Sequence, residues 1–440
     1  MKFLNKQFTQ ETLKLALPVM LTQVGQVSVN LFDNIIVGKL LGAKALAAVS
    51  LGNAMFFSIF IFGLGFSLAI PPLVSEAHSQ HDHNRINSIF RHGFVVNIIL
   101  AFVLMLLIFG IIPLMPYLNQ PKEILPDTIT FLSIVTLSII PFMIFQTMRE
   151  VSEGLSFTIG VTKATIFANV INVILNYVFI EHFKMGVAGS AWATFIARVA
   201  MMVFLYYVLI KEEKTRRYIK DFSLKIKDFT KEMFEKLIRL GFPTALQLFF
   251  EVTAFAGAAF ICGLISAKDI AAHQIALSMA SFTFNLCVGF SVASTVMIGR
   301  KLGEKDFVNL EKVGFNNLKI AFIFMLMCGL VFILGKDVLP TFFTKKEDIA
   351  VVELASQLMI IAALFQLSDG IQVTALGCLR GIQDVKIPSI LTFIAYWVIT
   401  IPLGYYLTVP MKMGAFGMWI ALGIGLTISA VLLVIRFRNL

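Results

Sequence analysis

Apolar runs of roughly twenty residues, the length a helix needs to cross a bilayer, follow one another along this chain almost without pause. Of its 440 residues, 58 % are hydrophobic and 14 % charged, against roughly 25 % charged in a soluble domain. Water cannot be the main solvent for such a composition. A soluble chain of this length would form several domains with polar surfaces; this one reads as an all-α membrane protein. Hydropathy places spans near 13–37, 45–74, 88–116, 127–150, 160–182 and 186–210, then near 236–264, 270–298, 313–343, 350–379, 384–408 and 413–436. Several are longer than a bilayer requires, which predicts tilt or extension into the loops.

The net charge of +10 does not indicate a nucleic-acid partner, because Lys and Arg lie in short loops between the apolar runs rather than along one soluble helix face. They concentrate in the even-numbered loops and at both termini, which places the termini in the cytoplasm and the chain in the inner membrane as a multi-pass protein. The longest polar interval, 211–235, carries Lys214, Arg216, Arg217, Lys220, Lys225, Lys227 and Lys231. It divides the chain into an N-terminal six-helix lobe (1–210), a cytoplasmic linker (211–235) and a C-terminal six-helix lobe (236–440). The linker suits an amphipathic segment on the anionic leaflet or a solvated loop that fixes topology. Met1 to Lys14 is polar, and the apolar stretch behind it holds Pro18, Gln23, Gln26, Asn30 and Asp33 without a cleavage site, so it is expected to span rather than be removed.

Cys262, Cys287, Cys328 and Cys378 lie in apolar segments with no Cys-x-x-Cys spacing, which indicates neither a disulfide framework nor a zinc site. His78, His81, His83 and His92 cluster in one loop region, but their loop-like separations without cysteine do not make a metal site. No resident metal or cofactor is expected.

Related fragments recur between the halves at a nearly constant offset. Pro18 corresponds to Pro243 and Gly38 to Gly263; the stretch from Ala43 to Ala48 resembles that from Ala267 to Ala272. Gly65-Phe66-Ser67 returns as Gly289-Phe290-Ser291, and Lys184-Met185-Gly186 with Gly189 returns as Lys412-Met413-Gly414 with Gly417. Five matches in register indicate a duplication. With an even number of spans in each half, the copies enter the membrane in one orientation and are related by an axis along its normal, which predicts two pseudo-symmetric lobes around a central cleft.

Carboxylates at membrane depth cost roughly 2.5–3.5 kcal/mol on insertion scales and need a proton, a partner or a wet cavity. Asp33, Glu251 and Asp369 are such groups; the remaining acids are expected in loops or at helix ends. Gln26 and Asn30 share the face of Asp33, while Asn169, Asn172 and Asn176 make a second stripe and Thr194 adds an oxygen on the sixth helix. Carboxylate and amide oxygens suit a small cation such as Na⁺, and Asp33 could equally hold a proton. Gln247 precedes Glu251 by a turn and Gln366 precedes Asp369, so these patches, if they face the cleft, could serve a coupling ion or a cationic substrate. Pro18 and Pro243 each remove a helix hydrogen bond and predict bends in the first and seventh helices. Arg198 follows Thr194 by four residues on the same face; it could pair with a carboxylate, repel cations or snorkel.

The six-helix halves, Pro18, Asp33 with Asn172, Asn176 and Thr194, and Glu251 with Asp369 together resemble the multidrug and toxic compound extrusion (MATE) transporters, in the NorM-like branch. The resemblance covers essentially the full chain. It implies twelve transmembrane helices in a V-shaped pair of lobes, and export of organic cations and amphipathic drugs in exchange for Na⁺ or H⁺ by a monomer. It also implies that Glu251 and Asp369 form the ion site of one lobe, and Asp33, Asn172, Asn176 and Thr194 that of the other. Some relatives carry Tyr one turn before the tenth-helix acid, where this chain has Phe365, a departure that weakens the Na⁺ ligand set and leans toward protons. A lipid-linked oligosaccharide flippase of the same superfamily is the alternative, but its cavity would favour Lys and Arg over acids. No Gly-x-Ser-x-Gly or His-Glu-x-x-His supports an enzyme, and duplicated lobes fit rocking better than a fixed pore.

Overall fold

The computed structural model describes residues 4–117, 121–225, 228–343 and 349–439, so Lys227 of the linker lies outside the described residues. Among the described residues, eleven helices are long and apolar enough to cross a bilayer, and a bent pair makes twelve. In chain order α1 is Lys6–Leu41, α2 Ala43–Ser79, α3 His83–Tyr117, α4 the pair Leu125–Leu137 and Ile139–Gly154, α5 Ile159–His182 and α6 Gly186–Lys211. The second set is α7 Lys231–Gly263, α8 Ala267–Gly303, α9 Phe307–Gly335, α10 Ile349–Gly381, α11 Lys386–Thr408 and α12 Gly414–Arg438. Every expected span is present. Large apolar side chains such as Leu106, Phe260 and Leu334 stand exposed on these helices, the inverse of a water-facing surface and the arrangement lipid requires.

Prolines set the irregularities. Pro141 has no N–H for the carbonyl of Leu137, and α4 bends by 42° at the intervening Ser138. Pro71 and Pro72 likewise follow the turn at Leu68 and Ala69 inside α2. Pro18 and Pro243, by contrast, sit within helices that run on through them.

The chain forms two packing units, one of Leu21–Ala245 and one of Met1–Met20 with Leu246–Leu440. The start of α1 therefore packs with the C-terminal helices, and the start of α7 packs with the N-terminal ones; α1 and α7 change unit within three residues of Pro18 and Pro243. The repeated Gly-Phe-Ser motif belongs to this arrangement. A Cβ on Gly65 would fall 2.6 Å from the Ala245 Cα, and one on Gly289 would fall 2.8 Å from the Ala16 carbonyl. Each glycine lets a helix backbone reach the crossing segment beside a proline.

The backbone itself repeats. Among the described residues, six non-glycine residues have positive φ: His81, Ser156, Lys184, Lys305, Gln383 and Lys412. They fall into three equivalent pairs: His81 with Lys305, Ser156 with Gln383, and Lys184 with Lys412. The paired turns explain why Lys-Met-Gly recurs, since Gly186 and Gly414 both have φ +59, a conformation glycine adopts without a Cβ penalty.

The linker is docked rather than free. Its short helix Glu213–Lys220 brings the Tyr218 hydroxyl 2.8 Å from His83 Nδ1. Phe222 packs on Phe90 and Phe94, Asp228 pairs with Arg91 at 2.8 Å, and the Thr230 N–H donates to His92 Nε2 at 2.9 Å. Two of the four clustered histidines thus fasten the linker to α3.

Candidate ion sites within the two packing units

In the N-terminal unit, α1 and α5 are joined by a ladder of polar contacts. The Thr22 and Thr162 hydroxyls lie 3.0 Å apart, Asn169 Nδ2 donates to the Gly25 carbonyl at 2.8 Å, and Asn176 Nδ2 donates to Asp33 Oδ1 at 2.6 Å. The spacing along α5 is seven residues at each step, two helical turns, which keeps these groups on one face. From Asn176 the chain continues: its Nδ2 also lies 3.3 Å from Asn172 Oδ1, and Asn172 Nδ2 donates to Thr194 Oγ1 of α6 at 3.5 Å. Asp33, Asn172 and Asn176 are buried. Asn176 Oδ1 is buried without a hydrogen-bond partner, an open acceptor beside a carboxylate that a small cation or a protonated group would satisfy. Gln26 is half-buried and Asn30 exposed; neither joins this chain in the described hydrogen bonds.

Arg198 completes the surroundings. Its Nη1 donates to Ser138 Oγ, at the break of α4, over 2.6 Å. Its guanidinium carbon lies 4.7 Å from the Phe56 ring centre and 5.1 Å from that of Phe142. It acts electrostatically on Asp33, yet no ion pair joins the two among the described residues.

In the C-terminal unit, Glu251 of α7 is buried among groups from α10 and α11. Gln372 Nε2 donates to Glu251 Oε1 at 3.2 Å, and the Tyr396 hydroxyl donates to the same oxygen at 3.3 Å. Gln372 Nε2 and the Tyr396 oxygen are themselves 2.9 Å apart. Asp369, one turn before Gln372 and 3 % exposed, acts electrostatically on the same group. Gln372 and Tyr396 were not singled out from the sequence. Gln372 follows Asp369 by three residues, a spacing that could have found it; Tyr396 stands alone in an apolar helix and carries no such signal. Gln247 is buried but joins none of the described hydrogen bonds to the acids, and Gln366 accepts from Thr283 Oγ1 at 3.0 Å instead. Phe365 packs against Trp419, with ring centres 5.3 Å apart, so the hydroxyl beside Glu251 arrives from α11.

The acids outside these clusters include Glu150, Glu153 and Asp269, which lie at helix ends as expected, although those ends are buried. Glu150 and Glu153 are each 1 % exposed in α4. That helix runs to Gly154, and each acid has an i,i+4 partner: Gln146 Nε2 donates to Glu150 Oε1 at 2.5 Å, and Arg149 pairs with Glu153 at 2.7 Å. Asp269 is also buried, accepting from the Ala415 N–H at 2.7 Å and from Ser266. It serves as a cap between α8 and α12.

Comparison with known proteins agrees with this architecture. The MatE family model matches residues 18–178 and again 243–406, each match beginning at one of the repeated prolines. The multidrug resistance protein NorM of Photobacterium profundum is 31 % identical over 439 residues, covering 98 % of this chain and 95 % of its own. A probable multidrug resistance protein NorM of Agrobacterium fabrum is 33 % identical over 433 residues, with 97 % and 92 % covered. The multidrug resistance protein MdtK of Pectobacterium atrosepticum is 32 % identical over 449 residues, with 99 % and 97 % covered. Among solved structures, the eukaryotic MATE transporter AtDTX14 superposes with a TM-score of 0.90 at 17 % identity, covering 99 % of this chain and 96 % of that one. A MATE protein in a bent conformation superposes with 0.89 at 20 %, with 98 % and 95 % covered; at these identities the likeness speaks to fold.

Proposed function

The chain belongs to the MatE family, and from that premise we propose that it exports cationic and amphipathic organic compounds across the cell membrane by alternating access, driven by inward flow of Na⁺ or H⁺. The names of the aligned relatives support multidrug efflux as the class of activity. They lend no support to the alternative of a flippase for lipid-linked oligosaccharide. The chain acts as a monomer with both termini in the cytoplasm.

The observation that carries this reading is the pair of buried carboxylate clusters, one inside each packing unit, on helices that span the membrane. Glu251 with Asp369 supplies more negative charge than its hydrogen bonds can balance, and a monovalent cation or a proton relieves it. Asp33 with Asn172, Asn176 and Thr194 supplies hard oxygens of the kind Na⁺ accepts, and Asp33 alone can hold a proton. In either case the ion and the substrate compete for negative charge: binding of one weakens the hold on the other, which is the requirement for exchange. Pro18 and Pro243, where α1 and α7 pass between packing units, are the natural points of flexure during the cycle.

The test is reconstitution into proteoliposomes with an imposed Na⁺ or proton gradient and a fluorescent organic cation as reporter. Transport is expected to follow one gradient. Asp33→Asn, Glu251→Gln and Asp369→Asn are each expected to lower it by about tenfold or more, since each removes a charge that holds an ion. Full activity in all three variants would detach the clusters from coupling.

A further inference from the structure

The duplication repeats a polar contact just ahead of each helix that changes packing unit. Helices α3 and α9 are in register: Asp82 caps one by accepting from the Arg85 N–H at 3.0 Å, and Asp306 caps the other by accepting from the Asn309 N–H at 3.2 Å. The turns before them match as well, with φ 57 at His81 and 58 at Lys305. That register makes Asn316 of α9 the counterpart of His92 of α3. In the C-terminal unit, Asn316 Oδ1 accepts from the Asn5 N–H, one residue before α1, at 2.9 Å. In the N-terminal unit, His92 Nε2 accepts from the Thr230 N–H, one residue before α7, also at 2.9 Å. The two side chains do the same work, but only the imidazole can take up a proton.

We propose that His92 is a pH-sensitive latch: it holds the end of the linker and the start of α7 while its ring is neutral, and releases them when the ring is protonated. Its partners fix the tautomer. Nδ1 lies 2.7 Å from the Ser88 carbonyl, which can only accept, so Nδ1 carries the proton. The Thr230 N–H can only donate, so Nε2 must offer its lone pair. A second proton on the ring occupies that lone pair and sets two N–H groups against each other. The ring is fully buried, with the rings of Phe229 and Phe234 centred 5.1 and 4.6 Å away, so a charged imidazolium reaches water only when that segment lifts off. His83 is not such a latch. The Tyr218 hydroxyl, 2.8 Å from His83 Nδ1, can donate or accept, and the contact survives protonation by reversing roles.

The charged groups around the ring have partners of their own. Arg91 pairs with Asp228 of the linker, Arg85 with Glu76 of α2, Lys231 with Glu235 in α7, and Arg149 with Glu153 in α4. Lys236 of α7 lies in the field of Glu76 and Arg85, and Glu150 of α4 accepts from Gln146. Among the described residues, none of these groups hydrogen-bonds to the ring, whose polar contacts are Ser88 and Thr230. From the latch, α7 runs on through Pro243 to Glu251, so His92 fixes where the helix bearing that carboxylate begins. That the latch reads cytoplasmic pH rests on the topology proposed above; the latch itself rests on the geometry alone.

The experiment is amide hydrogen exchange read by mass spectrometry on the purified full-length chain in detergent, at pH about 8 and about 5.5, either side of the range in which histidine changes charge, with rates corrected for the intrinsic effect of pH. Peptides covering 228–236 are expected to lose protection by about tenfold in acid, the effect of one lost hydrogen bond. Peptides covering 5–12, which the amide of Asn316 holds, are expected to keep theirs and serve as the internal control. His92→Gln, whose amide oxygen reaches as far as Nε2 and takes up no proton, is expected to leave 228–236 equally protected at both pH values. Equal protection of 228–236 at both pH values in the unaltered chain would overturn the proposal. So would an acid response of undiminished size in His92→Gln, which would assign it to another group such as Asp228. Should His92→Gln fail to fold, the unaltered chain decides: equal loss at 5–12 and at 228–236 would be general loosening in acid and would equally overturn the latch. No transport is measured, so failure of export in proteoliposomes would count against the proposed function alone.

Discussion

The Tyr396 hydroxyl touches both Glu251, at 3.3 Å, and Gln372, at 2.9 Å, in an environment from which water is excluded. A hydrogen bond of this kind contributes about 1 kcal/mol net. Tyr396→Phe keeps the ring and its packing against Phe255, so the protein is expected to fold while its apparent affinity for the coupling ion drops several-fold in a transport titration. An unchanged ion dependence would show that the hydroxyl only fills space. Asp33 was legible as a charge at membrane depth and Asn172 with Asn176 as neighbours on one helix face; that they and Thr194 belong together was implied by the family resemblance. Gln26 and Asn30 obey the same spacing and still lie outside the cluster. Spacing says which side chains share a face, and only packing says what that face meets: Asn30 is exposed.

Helices α1 and α7 carry the strongest link between sequence repeat and packing. Each has a proline beside the point where it changes packing unit, and each meets a glycine from the Gly-Phe-Ser motif at a distance that leaves no room for a side chain. Gly289→Val is therefore expected to destabilise the protein by about 1–3 kcal/mol, read as a lowered melting temperature in detergent, with Gly65→Val behaving alike. Gly423, with open space around it, tolerates the same change and serves as the control. Pro18→Ala restores an N–H to α1 and removes the proline's clash with the preceding turn. Its expected signature is unaltered substrate binding with slowed transport, because flexure rather than the site is affected. Equal slowing of binding and transport would assign the proline to packing. The break in α4 was not foreseen, for Pro141 lies inside an apolar run that hydropathy reads as continuous.

Duplication organises the molecule as a whole, yet the two copies have diverged where charge is concerned. Counting from Pro18 and Pro243, Glu251 stands where the first copy has Gln26, and Asp33 stands where the second has Ala258. Each copy thus keeps a carboxylate on its first helix but about two turns apart, with different partners. The loop charges predict a cytoplasmic C-terminus. A fluorescent protein fused behind Leu440 is expected to fold and fluoresce in the cytoplasm, and a phosphatase fused there to stay inactive; the opposite result would invert the topology.

Length and hydropathy of the apolar runs determined the spans, and the recurring fragments determined that the fold is a duplication, because a bilayer admits few ways to satisfy backbone polar groups and each leaves a local signature. The acids worth attention were likewise visible, since a charge in hydrocarbon is costly enough to stand out in one dimension. Tertiary structure decided the rest: that Tyr396 and Gln372 join Glu251, that Arg198 is clamped at the α4 break, and that the start of α1 packs with the C-terminal helices. Those outcomes depend on which faces of distant helices meet, a long-range property that no local spacing encodes.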